Sequence, residues 1–303
     1  EVYVTPMASK LFLRTLSAAV AAALAVPALA QDSNMPKGFV EGLRGFEKFH
    51  DPIGQPIYFE TPFNDTSLRF LYLKHDFPSG LNGDLTVYAL QARLAISERL
   101  AFIATKDGYS DLEIGALGID ETGWNDIAFG FKYVAIADRA NDFVLTPGVR
   151  YMLENGDEEV LQSTTQELSP FVSFAKGWGD LHLIGNATLR LPFDGDDGNT
   201  VGHWDLHLDY DLNPGQKAVF APVAEIHGVH YLDDGATALG VGGLDYANLG
   251  SQPAESFVAW MGIGARVEID TRYEIGLVYE FALTDEDDDI MDKRITFDFS
   301  VRF

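Results

Sequence analysis

The 303-residue sequence contains no cysteine, which removes disulfide staples, thiolate metal centres and thiol nucleophiles from consideration. It is also poor in basic side chains: 21 Lys and Arg stand against 46 Asp and Glu, a formal net charge of -25. Nucleic acid is thereby excluded as a partner, because phosphate binding needs clustered Lys and Arg. Beyond residue 30 no stretch reaches the roughly 18 consecutive apolar residues of a membrane-spanning helix. Yet hydrophobic residues make up 47% of the chain and aromatics 12%, too many for a disordered acidic protein.

Residues 1–30 read as an address. Met7, Lys10 and Arg14 precede an apolar run from Leu16 to Ala25, then Pro27 and the small-residue triplet Ala28-Leu29-Ala30, before Gln31-Asp32-Ser33. This order predicts a secretory signal peptide cleaved near Ala30. Residues 1–6 fit no part of that pattern and read as an extension upstream of a start at Met7. An exported chain without membrane helices is either a soluble β-protein or a barrel in the bacterial outer membrane.

Past residue 65 the hydrophobic pattern has period two. Ile295, Phe297, Phe299, Val301 and Phe303 alternate with Thr296, Asp298, Ser300 and Arg302, and successive side chains of a strand point to opposite faces. Tyr273 to Phe281, Trp204 to Tyr210 and Ile127 to Tyr133 repeat the pattern. Weaker versions cover 67–75, 84–96, 100–105, 143–154, 167–175, 181–192, 217–232 and 256–269, giving twelve candidate strands. Short connections (97–99, 138–142, 176–180, 212–216, 270–272) alternate with longer ones (76–83, 106–123, 155–166, 193–203, 233–255, 284–294). Tight turns at one end and long loops at the other are the mark of a transmembrane barrel. Aromatics near strand ends, such as Trp204 and Tyr210 or Tyr273 and Phe281, suit the two interfaces of a bilayer. The fold expected is all-β: an antiparallel up-and-down barrel of about twelve strands over 66–303, apolar outside and charged inside.

Three stretches carry a family resemblance: Pro56-Ile57-Tyr58-Phe59-Glu60, Ala104-Thr105-Lys106-Asp107-Gly108-Tyr109, and Trp124-Asn125-Asp126-Ile127-Ala128-Phe129-Gly130-Phe131-Lys132-Tyr133. The last resembles the Gly/Asp-Ile-x-x-Gly-x-Lys-Tyr strand of the outer-membrane proteins named for the MetA pathway of phenol degradation. The resemblance spans roughly residues 55–303, and it implies a barrel passing small apolar or aromatic compounds. It carries over no functional residue. The alternating C-terminal Phe299, Val301 and Phe303 resemble the signal read by the barrel-assembly machinery.

Residues 31–65 lack clear periodicity and form either a periplasmic tail or a segment folded into the lumen. Candidate lumen residues follow from pairing 204–211 with 217–232 through the turn 212–216. With Asp211 opposite Lys217, His203 faces Glu225 and Asp205 faces Val223, with His227 one step further out. Arg190 joins from the neighbouring strand, gathering Arg190, His203, Asp205, Glu225 and His227 near the extracellular half of the lumen. His207 and Asp209 share that inner face, and Arg150, Arg266 and Glu280 extend the set along other strands. These residues form either a charge-compensated wall or a constriction that selects solutes.

No metal site or other cofactor is expected: His227 and His230 fall on opposite faces of a strand, and Asp205, His207 and Asp209 are spaced by the strand repeat. Gly-x-Ser-x-Gly, His-x-Ser-Asn-Gly and His-Glu-x-x-His are all absent, so no enzymatic activity is expected. The acidic stretches Asp194–Asn199, Asp233-Asp234 and Asp285–Asp289 could hold divalent ions loosely against lipopolysaccharide phosphates. The function expected is a passive channel for small solutes in outer-membrane lipid, with modest cation preference. The alternative is a non-conducting structural or hydrolytic barrel.

Overall fold

The computed structural model describes residues 36–162, 165–195, 198–234, 243, 245–246, 252–284 and 290–303. The proposed signal segment 1–30 lies outside the described residues, as do Asp196, Asp197 and Asp285–Asp289.

Fifteen strands follow one another: β1 (Ser67–Asp76), β2 (Gly83–Ala95), β3 (Leu100–Lys106), β4 (Tyr109–Ile114), β5 (Ile119–Trp124), β6 (Ala128–Tyr133), β7 (Ile136–Asp138), β8 (Phe143–Met152), β9 (Glu167–Trp178), β10 (Leu181–Pro192), β11 (Val201–Tyr210), β12 (Ala218–Tyr231), β13 (Phe257–Ile269), β14 (Tyr273–Ala282) and β15 (Lys293–Arg302). Every pairing is antiparallel, and β1 pairs with both β2 and β15, which closes the sheet on itself. β3 and β4 both lie against β2, and β6 and β7 both lie against β8. β3 and β4 thus form one bent stave, and β5, which pairs with β4, continues with β6 and β7 as the next, so the fifteen strands among the described residues make a closed barrel of twelve staves.

Why these sequences form these staves is visible in their alternation. Leu277 at the middle of β14 is 52% exposed while its neighbours Gly276 and Val278 are buried, and Asp298, opposite Gly276 on β15, is fully buried. Leu206, Leu208, Phe220, Ile263, Ile275, Tyr279, Ile295 and Phe299 point outward with it. Arg69, Arg150, Arg266, Glu274, Glu280 and Arg294 point inward and are buried. A soluble barrel places these two sets the other way round; this polarity is that of a membrane barrel.

One expected loop is structured. Residues 106–123 read as a long connection, but β4 and β5 extend two staves beyond the apolar belt as a hairpin. There the polarity reverses: Leu112 and Ile114 turn inward, and Asp111 and Glu113 turn out. The reversal is the physical reason the stretch escaped a search for outward apolar faces. Inside, toward this long-loop end, Leu71, Leu73, Leu85, Val87, Leu112, Val229, Tyr231 and Trp260 form an apolar cluster. The lumen is therefore polar over only part of its length.

If Leu277 faces lipid at mid-bilayer, Leu277→Arg costs about 2–4 kcal/mol, as expected for a cation on the lipid face there. Urea unfolding in lipid vesicles measures this; a change near zero places Leu277 outside the hydrocarbon.

Candidate functional site: the filled lumen

Residues 36–66 enter the barrel at its short-turn end, run inward, and return to the same rim before β1. At the rim, Lys37 pairs with Glu98 at 2.9 Å, Val40 N–H donates to Ala95 O, and Leu43 N–H donates to Asn64 O. The two arms approach closely at Gly42, where a Cβ would lie 1.7 Å from Asn64 O. Phe46, Phe49, Phe59 and Phe63 pack on Val134, Val144, Ala175 and Ile184 of the wall. Deeper in, Ile53 packs on Val223 and Val278, and Ile57 and Tyr58 join the apolar cluster near the far end. No helix forms among these described residues.

The segment is bonded to the wall around its circumference. Glu60 is buried between Arg93 and Lys132, at 2.8 Å from each, and Arg93 also reaches Asp51 at 2.7 Å. Lys132 donates to Thr61 O, Gln91 to Pro56 O, Arg69 to Ile53 O and Arg266 to Pro52 O. Thr146 and Ser173 donate their hydroxyls to Pro62 O and Glu60 O. At the bend after Pro52, Glu225 accepts the N–H groups of Ile53 and Gly54 at 2.8 and 2.7 Å. A Cβ at Gly54 would lie 2.6 Å from Glu225 Oε2 and 2.7 Å from Glu280 Oε1, so a side chain there must displace these two carboxylates.

The candidate lumen residues all face this interior, all but the half-buried Arg190 being fully buried. Their pairing differs from expectation. Asp205 faces His227 and His207 faces Glu225; His203 faces Val229 rather than Glu225. The shift is four residues, because Leu212 N–H donates to Phe220 O and Asn213 bonds both Ala218 O and Phe220 N–H, widening the turn. An even shift keeps the inner face inner. Asp205, His227 and Glu225 come together, and Arg190 and His203 share the Tyr58 ring; His207 and Asp209 carry the set on toward the short turn, so it runs as a string along the wall.

That string is a chain of alternating carboxylates and imidazoles. Asp205 meets His227 at 2.8 Å, Glu225 meets His207 at 2.6 Å, and His207 meets Asp209 at 3.1 Å. Asp209 continues to His182 at 2.8 Å. Arg266 belongs to a separate group, forked onto Asp298, which also takes Arg69. Glu280 is held by Arg294, Thr296 and the Trp260 indole. Arg150 and Arg190 lie over the Tyr58 ring, Arg190 on Glu167, and His203 stacks on the same ring at 4.8 Å. Neither ring nitrogen of His203 nor either terminal nitrogen of Arg150 has a hydrogen-bond partner among the described residues.

Sequence reasoning missed the segment's own contributors (His50, Asp51, Gly54, Tyr58, Glu60) and the wall cations Arg93 and Lys106. The available signal was the density of Phe46, Phe49, Tyr58, Phe59 and Phe63 in a stretch without charge clusters, more apolar surface than a solvated tail carries. The three stretches bearing the family resemblance meet here: Glu60 binds Lys132, and Lys106 lies 3.5 Å from Asp126.

Removing the Glu60 carboxylate leaves Arg93 and Lys132 short of a buried counter-charge. Glu60→Ala should destabilise the seated segment by about 3–5 kcal/mol, read as faster proteolysis within 36–66 while the strands resist. Unchanged cleavage would remove Glu60 as the anchor.

No family model matches the sequence, and no curated protein matches it. Among solved structures, the COG4313 outer membrane channel from Pseudomonas putida F1 is similar, with a TM-score of 0.58 at 12% identity over 84% of this chain and 100% of that one. The NanC porin follows at 0.46 and 13% identity, over 78% and 98%. The KdgM porin gives 0.47 and 9%, over 78% and 99%. The two porins are too loosely similar to bear on function. The first likeness establishes that this chain shares the fold of an outer membrane channel.

Proposed function

We propose that this protein is an outer-membrane barrel that passes small solutes passively, with residues 36–66 setting the width of the path. The observation that carries the reading is the inversion of polarity: a closed twelve-stave ring with an apolar belt outside and ionic groups inside. Such a ring has one environment that satisfies both faces, lipid around it and a polar interior within. Twelve staves enclose more room than an eight-stave barrel fills with its own side chains, and here the segment occupies that room. Residues 1–30 serve as the export signal, cleaved near Ala30, and the Phe299, Val301, Phe303 terminus serves the assembly machinery.

Arg150, Arg190, His203, Asp205, His207, Asp209, Glu225, His227, Arg266 and Glu280 line the route. Small apolar or aromatic compounds suit it on two grounds. One is the family resemblance, whose three stretches converge on the seated segment. The other is the apolar cluster toward the long-loop end, beside the stacked faces of Tyr58 and His203. The filled lumen favours a second reading, a non-conducting structural barrel.

Planar-bilayer recording separates the two. Purified full chain should conduct in small, infrequent steps, and Gly54→Val, which crowds the Glu225 and Glu280 carboxylates, should give larger and longer ones. A salt gradient should give a reversal potential of modest cation preference, following the acidic excess. Flat traces from both proteins favour the structural barrel, and clear anion preference contradicts the electrostatic reading.

A further inference from the structure

Most buried carboxylates of the lumen rest on fixed cations: Glu60 on Arg93 and Lys132, Asp298 on Arg69 and Arg266, Glu280 on Arg294, Glu167 on Arg190. Asp209 and Asp211 do not. Among the described residues the ion pairs of Asp209 are with His182 and His207, and that of Asp211 is with His50. His50 comes from the lumen segment, His182 from β10, and the two aspartates from the end of β11 and the turn after it. One ligand atom from each of His50, His182, Asp209 and Asp211 lies within 4.8 Å of all the others, and all four side chains are buried. Each of the two imidazoles has one nitrogen on a carboxylate; His182 Nε2 forms no hydrogen bond, and His50 Nδ1 lies 3.6 Å from Glu274 Oε1.

We propose that these four residues form a transition-metal site, best suited to Zn²⁺, that latches the lumen segment to the barrel wall. Two imidazoles and two carboxylates are a tetrahedral zinc donor set, with bonds of about 2.0–2.2 Å and hence ligand atoms about 3.3 Å apart. The His–Asp contacts of 2.7 and 2.8 Å are hydrogen-bond distances. Admitting the ion requires the donors to part by roughly half an ångström, well within the spread of the cluster. With neutral imidazoles the set carries two negative charges, which one divalent ion cancels. Calcium and magnesium fit poorly, since they call for six or more oxygen ligands or retained waters. The sequence concealed the site because His50 lies in the lumen segment, outside the strands, and 132–161 residues separate it from the other ligands in the chain.

The proposal rests on the seating of residues 36–66 and not on solute passage, so its test is binding rather than conductance. Full-length protein, free of any affinity tag and stripped with EDTA, is titrated with Zn²⁺ by calorimetry, with metal content measured after dialysis. One Zn²⁺ per chain is expected, and Co²⁺ in its place should show the visible absorption of a tetrahedral centre. His50→Ala and His182→Ala should each weaken binding at least about tenfold, and exposed His230→Ala should leave it unchanged. Asp211→Asn, which keeps the side chain's shape, serves if a histidine variant misfolds. Zinc should also slow proteolysis within 36–66. Absence of saturable zinc binding, or equal binding by the His50, His182 and Asp211 variants, overturns the site.

Discussion

A charged side chain on the inner face of a closed barrel has few means of compensation: other inner-face groups, whatever fills the lumen, and trapped water. Leaving a buried charge unpaired costs several kcal/mol, so the inner face of this barrel constrains everything else. Its wall does not balance itself. Arg93 and Lys132 converge on Glu60, which belongs to the segment inside, and Arg69 and Arg266 reach the carbonyl oxygens of Ile53 and Pro52. Conversely, Glu225 of the wall is satisfied in part by the segment's own N–H groups. Wall and segment complete one another's hydrogen bonding, and neither has a full set alone.

The same constraint divides the lumen along its axis. Near the short turns and at mid-height the interior mixes ionic groups, to which the segment supplies carboxylates and carbonyls, with the segment's phenylalanine cluster on Val134, Val144, Ala175 and Ile184. Toward the long-loop end it becomes apolar, and the outer surface of β4 and β5 becomes acidic. A stave that carries greasy residues outward at mid-height and inward beyond it has left one solvent for another. The apolar belt thus marks the part of the barrel that meets lipid, and the β4–β5 hairpin stands clear of it.

Much of this architecture was legible in the sequence because it rests on a period of two. Ile295 to Phe303, or Trp204 to Tyr210, declare their faces without knowledge of any partner strand. Parity also protected the inner set: the β11–β12 pairing slipped by four residues, yet Asp205, His207, Glu225 and His227 stayed inside. What periodicity could not give was the pairing itself, since the Asn213 side chain decides how wide the turn is. Nor could it read β4 and β5, where the alternation persists but its sense reverses. Least legible was the segment at 36–66. Its backbone has no repeat, and its meaning lies in contacts such as Glu60 with Lys132, 72 residues apart.

The claim on which the account depends is that the barrel's charges are completed from within by this segment. Hydrogen–deuterium exchange of the full-length protein in lipid nanodiscs tests it most directly, because the amides of Ile53 and Gly54 have the Glu225 carboxylate as their partner. Peptides covering 50–62 should exchange as slowly as those of β12 and β14. Exchange at the rate of an exposed loop would show the lumen unfilled and contradict it.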